Sequence, residues 1–367
     1  MSLLLMTGLP GFLGSALLPR LLERRPGADA LCLVQPQHEA LAKARLADLE
    51  EVHPHLRHRV RLVRGDIRLP GLRAGAHRPG ASAGELKRVT EVWHLAAVYD
   101  LAVGEFAARA VNVDGTRHVL EACARLPRLE RLHHVSTCYV SGRYAGEFTE
   151  DALDEGQEFR NPYEETKFEA ELLVRKAMAD GLPATIYRPG VVVGDATTGA
   201  TQKYDGPYFL ASFLRRQPTV AVVPRVADPD QVRFCLVPRD FVIDAMDRLS
   251  VLDESLGRTY ALTDPAPPTM RELVDTFAHH LGKRVLWVPL PLGVARAVVD
   301  RVPGMERLLG LPAEALDYSA SPTTYSTTHA TTDLAGTGLS CPPFHAYADR
   351  LLDYMLAHAE VGSAAMT

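Results

Sequence analysis

The 367-residue sequence contains five cysteines, Cys32, Cys123, Cys138, Cys235 and Cys341, and no two of them stand at C-x-x-C spacing. That scatter excludes a disulfide framework or a zinc site as the organising device, so reduced, largely buried thiols and no metal are expected. There is no basic block either: 40 Lys and Arg against 45 Asp and Glu leave a formal charge of −5, which argues against a nucleic-acid partner. No apolar run is long enough to span a bilayer. The most hydrophobic stretch, residues 285–299, is interrupted by Pro289, Pro291 and Arg296. The start lacks a basic n-region followed by an apolar segment and a cleavage site, and a cytoplasmic location is expected. With 47% apolar residues, a chain of this length can bury a large core as one elaborated domain or two lobes.

What is present begins at the third residue. The apolar run Leu3-Leu4-Leu5-Met6 leads into Thr7-Gly8-Leu9-Pro10-Gly11-Phe12-Leu13-Gly14 and then an amphipathic stretch over residues 15–24. This reads as strand, glycine turn, helix. One glycine permits the tight turn, one lets backbone approach a pyrophosphate, and one lets helix and strand pack closely, with the helix N-terminus facing the phosphates.

A second signal is Tyr163 with Lys167 in the stretch Asn161-Pro162-Tyr163-Glu164-Glu165-Thr166-Lys167. A helix places them on one face, where the lysine ammonium would hold down the phenol pKa from its ordinary value near ~10. Between these signals, short apolar runs alternate with helical periodicity, which predicts a doubly wound parallel sheet with helices on both faces. Candidate strands are 3–7, 30–34, 60–64, 91–95, 131–136 and 184–188; candidate helices are 12–24, 38–50, 106–126 and 163–179. Residues 70–84 read as a surface excursion. Beyond residue 188 the pattern predicts loops at 195–205 and 224–230, helices at 207–216, 238–249, 270–281 and 344–358, and strands at 233–237 and 259–262. The Ser/Thr-rich run 319–332 reads as an ordered connection, because Tyr318 and Tyr325 give it something to bury, and the tail after residue 361 as frayed. The expected division is a dinucleotide-binding domain over residues 1–194, to which 233–249 return, and a smaller α/β substrate lobe over 195–232 and 250–367.

Seven segments in order resemble the extended short-chain dehydrogenase/reductases: the glycine loop, Gly65-Asp66-Ile67, His94-Leu95-Ala96-Ala97, Asn112-Val113-x-Gly115-Thr116, Val135-Ser136-Thr137, Tyr163-x-x-x-Lys167 and Tyr187-Arg188-Pro189. Gly11-Phe12-Leu13-Gly14, Cys32-Leu33-Val34, Val135-Ser136-Thr137-Cys138-Tyr139-Val140 and Gly194-Asp195-x-x-x-Gly199 are similar to the branch that holds fatty acyl-CoA reductases and thioester reductase domains. The resemblance runs over about residues 3–200 and thins afterwards, where Lys203-Tyr204-Asp205-Gly206-Pro207-Tyr208 is also similar to bacterial members.

The resemblance implies Thr137 as the hydroxyl that binds the substrate carbonyl, Tyr163 as proton donor, and Lys167 as the residue that holds the nicotinamide ribose. Asn112 would hold a relay water or brace the helix. Of Ser136 and Thr137, only one can face the cofactor, because side chains alternate along a strand. The same resemblance implies Thr7, Gly8, Gly11, Phe12, Leu13 and Gly14 at the pyrophosphate, Gln35 at the ribose end, Asp66 and Ile67 beside the adenine, Ala96 and Ala97 under the cofactor, and Pro189 nearby. Asp66 has a plain alternative as a turn-capping carboxylate.

The end of the second strand, Val34-Gln35-Pro36, carries no acid to grip a ribose diol, which favours NADP over NAD. The arginine common in the branch is missing at Gln35, with Lys43 and Arg45 as candidate substitutes. Cys138 is better explained as a core thiol than as an acyl nucleophile, since no cation is placed beside it, and His133 and His134 as packing or surface residues. The expected reaction is hydride transfer from a nicotinamide cofactor to an acyl thioester of coenzyme A, or of an acyl-carrier protein acting in trans. The same residues would equally serve a ketoreductase or alcohol dehydrogenase acting on a ketone, hydroxysteroid or nucleotide sugar; a non-catalytic redox sensor would be expected to have lost one of them.

Overall fold

A computed structural model describes residues 2–72, 81–99, 103–301, 317–318 and 320–362. Its strands are β1 (Ser2–Thr7), β2 (Ala28–Val34), β3 (Val60–Arg64), β4 (Val89–His94), β5 (Arg131–Val135), β6 (Gly146–Phe148), β7 (Ala184–Pro189), β8 (Val191–Val193), β9 (Val220–Arg225), β10 (Leu236–Pro238), β11 (Thr259–Leu262), β12 (Arg284–Pro289) and β13 (Thr323–Tyr325). Seven of them form one parallel sheet in the order β11-β7-β5-β4-β1-β2-β3. Leu3 to Met6, with both faces covered by helices, are all buried, the burial that a parallel sheet requires. The strand order reverses between β1 and β4, and ligands of doubly wound sheets bind outside the carboxyl ends of the strands at such a point.

The sheet has seven strands rather than the six expected. The seventh, β11, was assigned to the substrate lobe, but it pairs with β7, Tyr260 opposite Tyr187, and all four of its residues are buried. The helix Arg239–Leu249 shares a buried cluster with Leu17 and Leu21 of the helix Phe12–Arg24, and Arg24 pairs with Asp247 at 2.6 Å. The expected continuous helix over 106–126 is an α-turn (Glu105–Ala108), a π-helical stretch (Arg109–Asp114) and a second α-helix (Gly115–Cys123). Asn112 lies in the π stretch, where one extra residue per turn re-aims a side chain inward.

The lobe is built on the helices Pro207–Arg216, Met270–His280 and Ala348–Ala357, whose apolar faces share one core with β9 and β12. Part of the expected loop 224–230 is strand: β9 pairs in parallel with β12, which also gives structure to the first part of the 285–299 stretch; a helix, Leu292–Arg301, follows. Both strands carry their prolines, Pro224 and Pro289, near the ends, where a ladder tolerates them. In the 319–332 run, β13 pairs with β6 and a helix covers Thr328–Leu334; Tyr325 is anchored on Ser141 Oγ at 2.9 Å. Residues 73–80 of the 70–84 excursion, residue 319, and the tail 363–367 lie outside the described residues. Among those described, no helix is long and apolar enough to cross a membrane, and no cluster of three His, Cys, Asp or Glu could hold a metal.

One buried charge pair joins helix to sheet. Arg188 on β7 donates through Nη2 to Glu171 Oε1 at 2.7 Å, on the helix Pro162–Ala179, and both side chains are excluded from water. Burial alone would raise the Glu171 pKa, but Arg188, Arg175 and Ser136 hold it below its ordinary value. Glu171→Ala would leave Arg188 buried and uncompensated. We expect a loss of about 3–5 kcal/mol in denaturant unfolding; a loss under about 1 kcal/mol would contradict this view of the pair.

Candidate active site

The cleft opens where β1 and β4 end. Thr7 Oγ1 lies 2.9 Å from His94 Nδ1 and accepts from the Ala96 amide at 3.1 Å, which stitches the two strand ends together. Gly8 has φ +98°, and a Cβ there would stand 2.9 Å from the Leu95 carbonyl carbon, so the turn closes only with glycine. Cβ atoms at Gly11 and Gly14 would meet the Gly8 carbonyl oxygen at 2.7 and 2.5 Å. No side chain caps the N-terminus of the helix Phe12–Arg24. Its first amides are open toward the cleft that Gly8, Gly11, Phe12, Leu13 and Gly14 line, and this is the geometry a dinucleotide pyrophosphate fits.

The helix Pro162–Ala179 supplies the second wall. Asn161 caps it, accepting from the Glu164 amide at 3.0 Å, Pro162 occupies its first position, and Glu164 and Glu165 fill the first turn. Tyr163, Lys167 and Glu171, four residues apart, form one buried face against the end of β5. They meet three consecutive residues there. Lys167 Nζ donates to the Val135 carbonyl at 2.8 Å, Glu171 accepts from Ser136 Oγ at 2.6 Å, and Tyr163 hydrogen-bonds Thr137. The Ser136 hydroxyl is thereby committed to Glu171, although Ser136 and Thr137 both line the cleft, and Thr137 is the hydroxyl beside Tyr163. Thr137 Oγ1 accepts from the Tyr139 amide at 3.2 Å, which leaves its own proton to give.

Burial governs the protonation of this face. The expectation that Lys167 lowers the Tyr163 pKa is not met: burial pushes the phenol up to about 12, with the Thr137 hydrogen bond opposing. Burial likewise brings Lys167 down to about 8, Glu171 opposing. Asn112, 1% exposed, is a brace: its amide oxygen accepts from Val98 N at 2.9 Å, and its nitrogen donates to Val98 O and to Thr166 Oγ1. It fixes the strand-to-helix segment that carries Ala96 and Ala97, which line the cleft.

At the far end, Gln35 and Ile67 line the cleft. Asp66 is a turn-capping carboxylate, accepting from the Arg68 amide at 2.9 Å, and it also takes Gln35 Nε2 at 3.3 Å and the Arg68 guanidinium at 2.7 Å. Lys43 is paired with Glu39 at 2.8 Å, and neither Lys43 nor Arg45 lines the cleft. At this end Arg68, which follows Gly65-Asp66-Ile67 directly and lies outside that motif, does line the cleft. Pro189 lines the cleft at the end of β7. Cys138 is buried, donates to the Arg188 carbonyl at 3.1 Å, and has its thiol pKa raised well above the ordinary value by burial, the opposite of an activated nucleophile. His133 and His134 are core residues of β5, and His133 stacks on Trp93 with ring centroids 3.9 Å apart.

An open glycine turn thus lies at the switch point of a Rossmann sheet, with a threonine, a tyrosine and a lysine gathered at the end of β5 and on its neighbouring helix. Residues 6–246 match the male sterility protein family, and the chain belongs to it. It is 32% identical over 255 residues to an isonitrile lipopeptide synthase of Streptomyces coeruleorubidus, covering 67% of this chain and 16% of that protein. It is 29% identical over 241 residues to the fatty acyl-CoA reductase wat of Drosophila melanogaster, covering 55% of this chain and 45% of that one. The chain thus spans less than half the length of these curated relatives. Its fold superposes on the terminal R domain of the myxalamid PKS-NRPS pathway with a TM-score of 0.81 and 28% identity, covering 98% of this chain and 91% of that one.

The Lys167 ammonium should titrate near pH 8 in the folded protein, against ~10.4 for a free lysine. NMR of labelled lysine side chains, with Lys167→Met for assignment, measures it; titration above pH 10 would contradict the buried setting.

Proposed function

We propose that the protein reduces acyl thioesters with a nicotinamide cofactor. The observation that carries this reading is one continuous cavity of about 1460 Å³, which runs from the glycine turn past Thr137, Tyr163 and Lys167 into a chamber of the lobe lined by Phe209, Phe213, Phe234, Met270, Val274 and Trp287. Ligand pockets commonly run to ~300–1,000 Å³, so this space admits a second occupant beside a cofactor. These apolar side chains suit an acyl chain, and Arg216, Gln217 and Arg225 also line the cavity. The related synthases and the fatty acyl-CoA reductase support a thioester donor, carried by coenzyme A or by an acyl-carrier protein.

Bound in the cleft, a reduced nicotinamide supplies hydride to the thioester carbonyl carbon. Thr137 Oγ1 and Tyr163 OH are the donors for the carbonyl oxygen, where negative charge develops. With its pKa near 12, Tyr163 is a phenol at neutral pH and has the proton to give. Lys167 keeps a positive charge beneath it up to about pH 8 and would hold the ribose. Asn112 holds the cofactor-side loop. Tyr163→Phe is expected to cut turnover roughly 10²-fold while cofactor binding persists, with free thiol released in step with cofactor oxidation in the unaltered protein. Full turnover by the variant would remove Tyr163 from this role.

For the cofactor we propose NADPH. No acid closes the β2 end, Asp66 is already neutralised by Arg68, and the Arg68 side chain remains 43% exposed at the cleft, in reach of a ribose phosphate. Titration with both cofactors should show tighter NADPH binding. Arg68→Ala should weaken NADPH about tenfold, the scale of one charge-assisted hydrogen bond, and leave NADH nearly unchanged; a preference for NADH in the unaltered protein would contradict the assignment.

A further inference from the structure

The cleft holds a second charged pair, Lys203 with Asp205. Residues 201–206 cross from the lobe, and Lys203 Nζ lies 2.8 Å from Asp205 Oδ2 and 4.8 Å from the centre of the Tyr99 ring. Tyr99 ends the segment Ala96-Ala97-Val98 that Asn112 holds against the sheet, so Lys203 bridges the cleft from its lobe side to its sheet side. Lys203, Asp205 and Tyr99 all line the same cavity as Thr137 and Tyr163, and Asp205 is close enough to act on the Tyr163 phenol. The loop is built to hold this place. Tyr204 OH donates to the His358 carbonyl at 3.0 Å, and Gly206 (φ +53°) packs so closely on Val191, just past the end of β7, that a Cβ would stand 2.9 Å from Val191 Cγ1. The Lys203 side chain is only 14% exposed, in a cavity with few polar groups, and neither carbonyl reduction nor cofactor binding requires an ammonium there.

We propose that Lys203 is a catalytic residue for the departure of the thiol, with Asp205 holding its ammonium in place. The proposal rests on the thioester reading. After the carbonyl carbon has received hydride and its oxygen the Tyr163 proton, the adduct is a hemithioacetal. In its collapse the carbon–sulfur bond breaks with its electron pair going to sulfur, the hydroxyl proton returns to the Tyr163 phenolate, and the C=O of the aldehyde re-forms. The sulfur leaves as a thiolate paired with the Lys203 ammonium, takes a proton from it, and Lys203 is reprotonated from solvent. An alkyl thiol of pKa near ~8.5 is a moderate leaving group at neutral pH, so an aimed cation accelerates this step.

The test compares one acyl group on an alkyl thiol (pantetheine) and on a more acidic aryl thiol, with the unaltered protein, Lys203→Gln and Lys203→Arg. Lys203→Gln should lose roughly tenfold or more on the alkyl thioester, the lower end of what a lost charge-stabilising donor costs, and less than about threefold on the aryl thioester, whose thiolate needs no help. Lys203→Arg should recover most of the loss. A second readout needs no turnover: free pantetheine bound to the protein should show thiolate absorbance at lower pH than in water, and Lys203→Gln should abolish that shift. Equal losses on both esters, or an unshifted bound thiol, would overturn the proposal and leave the pair as an anchor of the loop. Failure of the unaltered protein to release thiol from any acyl thioester would instead remove the reductase reading itself.

Discussion

One face of one helix sets the chemistry of the cleft. Tyr163, Lys167 and Glu171 repeat every fourth residue, and each engages a different one of Val135, Ser136 and Thr137 at the end of β5. The Glu171 contact matters as much as the other two. By taking the Ser136 hydroxyl at 2.6 Å it leaves Thr137 as the hydroxyl beside Tyr163, and Arg188 keeps that carboxylate charged in a site where burial would otherwise neutralise it. The two sides of the site are therefore coupled through a buried ion pair that never touches the cleft. Loss of that pair would be felt as instability and as misaimed donors together.

Charge is segregated along the cavity. The glycine turn offers backbone amides and no charged side chain, Arg68 stands at one end, Lys167 is tied to a backbone carbonyl beneath Tyr163, and the Lys203–Asp205 pair bridges the middle. Past that bridge the chamber of the lobe is mainly apolar, with Arg216, Gln217 and Arg225 also in its lining. Water that entered would find few partners there, and a low local dielectric strengthens every remaining electrostatic contact. The same burial that raises the Tyr163 pKa keeps it a proton donor, so the desolvated setting and the direction of reduction agree.

The sequence made local features legible and left long-range ones hidden. The glycine turn and the Tyr163–Lys167 pair could be read because their function lies in spacing within one strand, turn or helix. Strand β11 could not, because four residues reveal their burial but not which sheet buries them. Strands β9 and β12 were obscured by terminal prolines that argue for loops. The Asn112 brace depends on a π-helical stretch that a single continuous periodicity does not betray. The protonation of Tyr163 is hidden for a related reason: spacing shows that a lysine is near, whereas burial, which dominates here, is a property of the folded chain. Arg68 sat one residue beyond a motif, where pattern matching stops and geometry begins.

The central claim is that hydride goes directly to a thioester carbonyl carbon held at Thr137 and Tyr163. Single turnover with a reduced nicotinamide cofactor carrying deuterium at the transferable position, and a long-chain acyl thioester, tests it in one measurement. The account predicts one deuterium on the former carbonyl carbon of the product and one equivalent of free thiol. Product without the label at that carbon, or label transferred only to ketones with the thioester left intact, would contradict it.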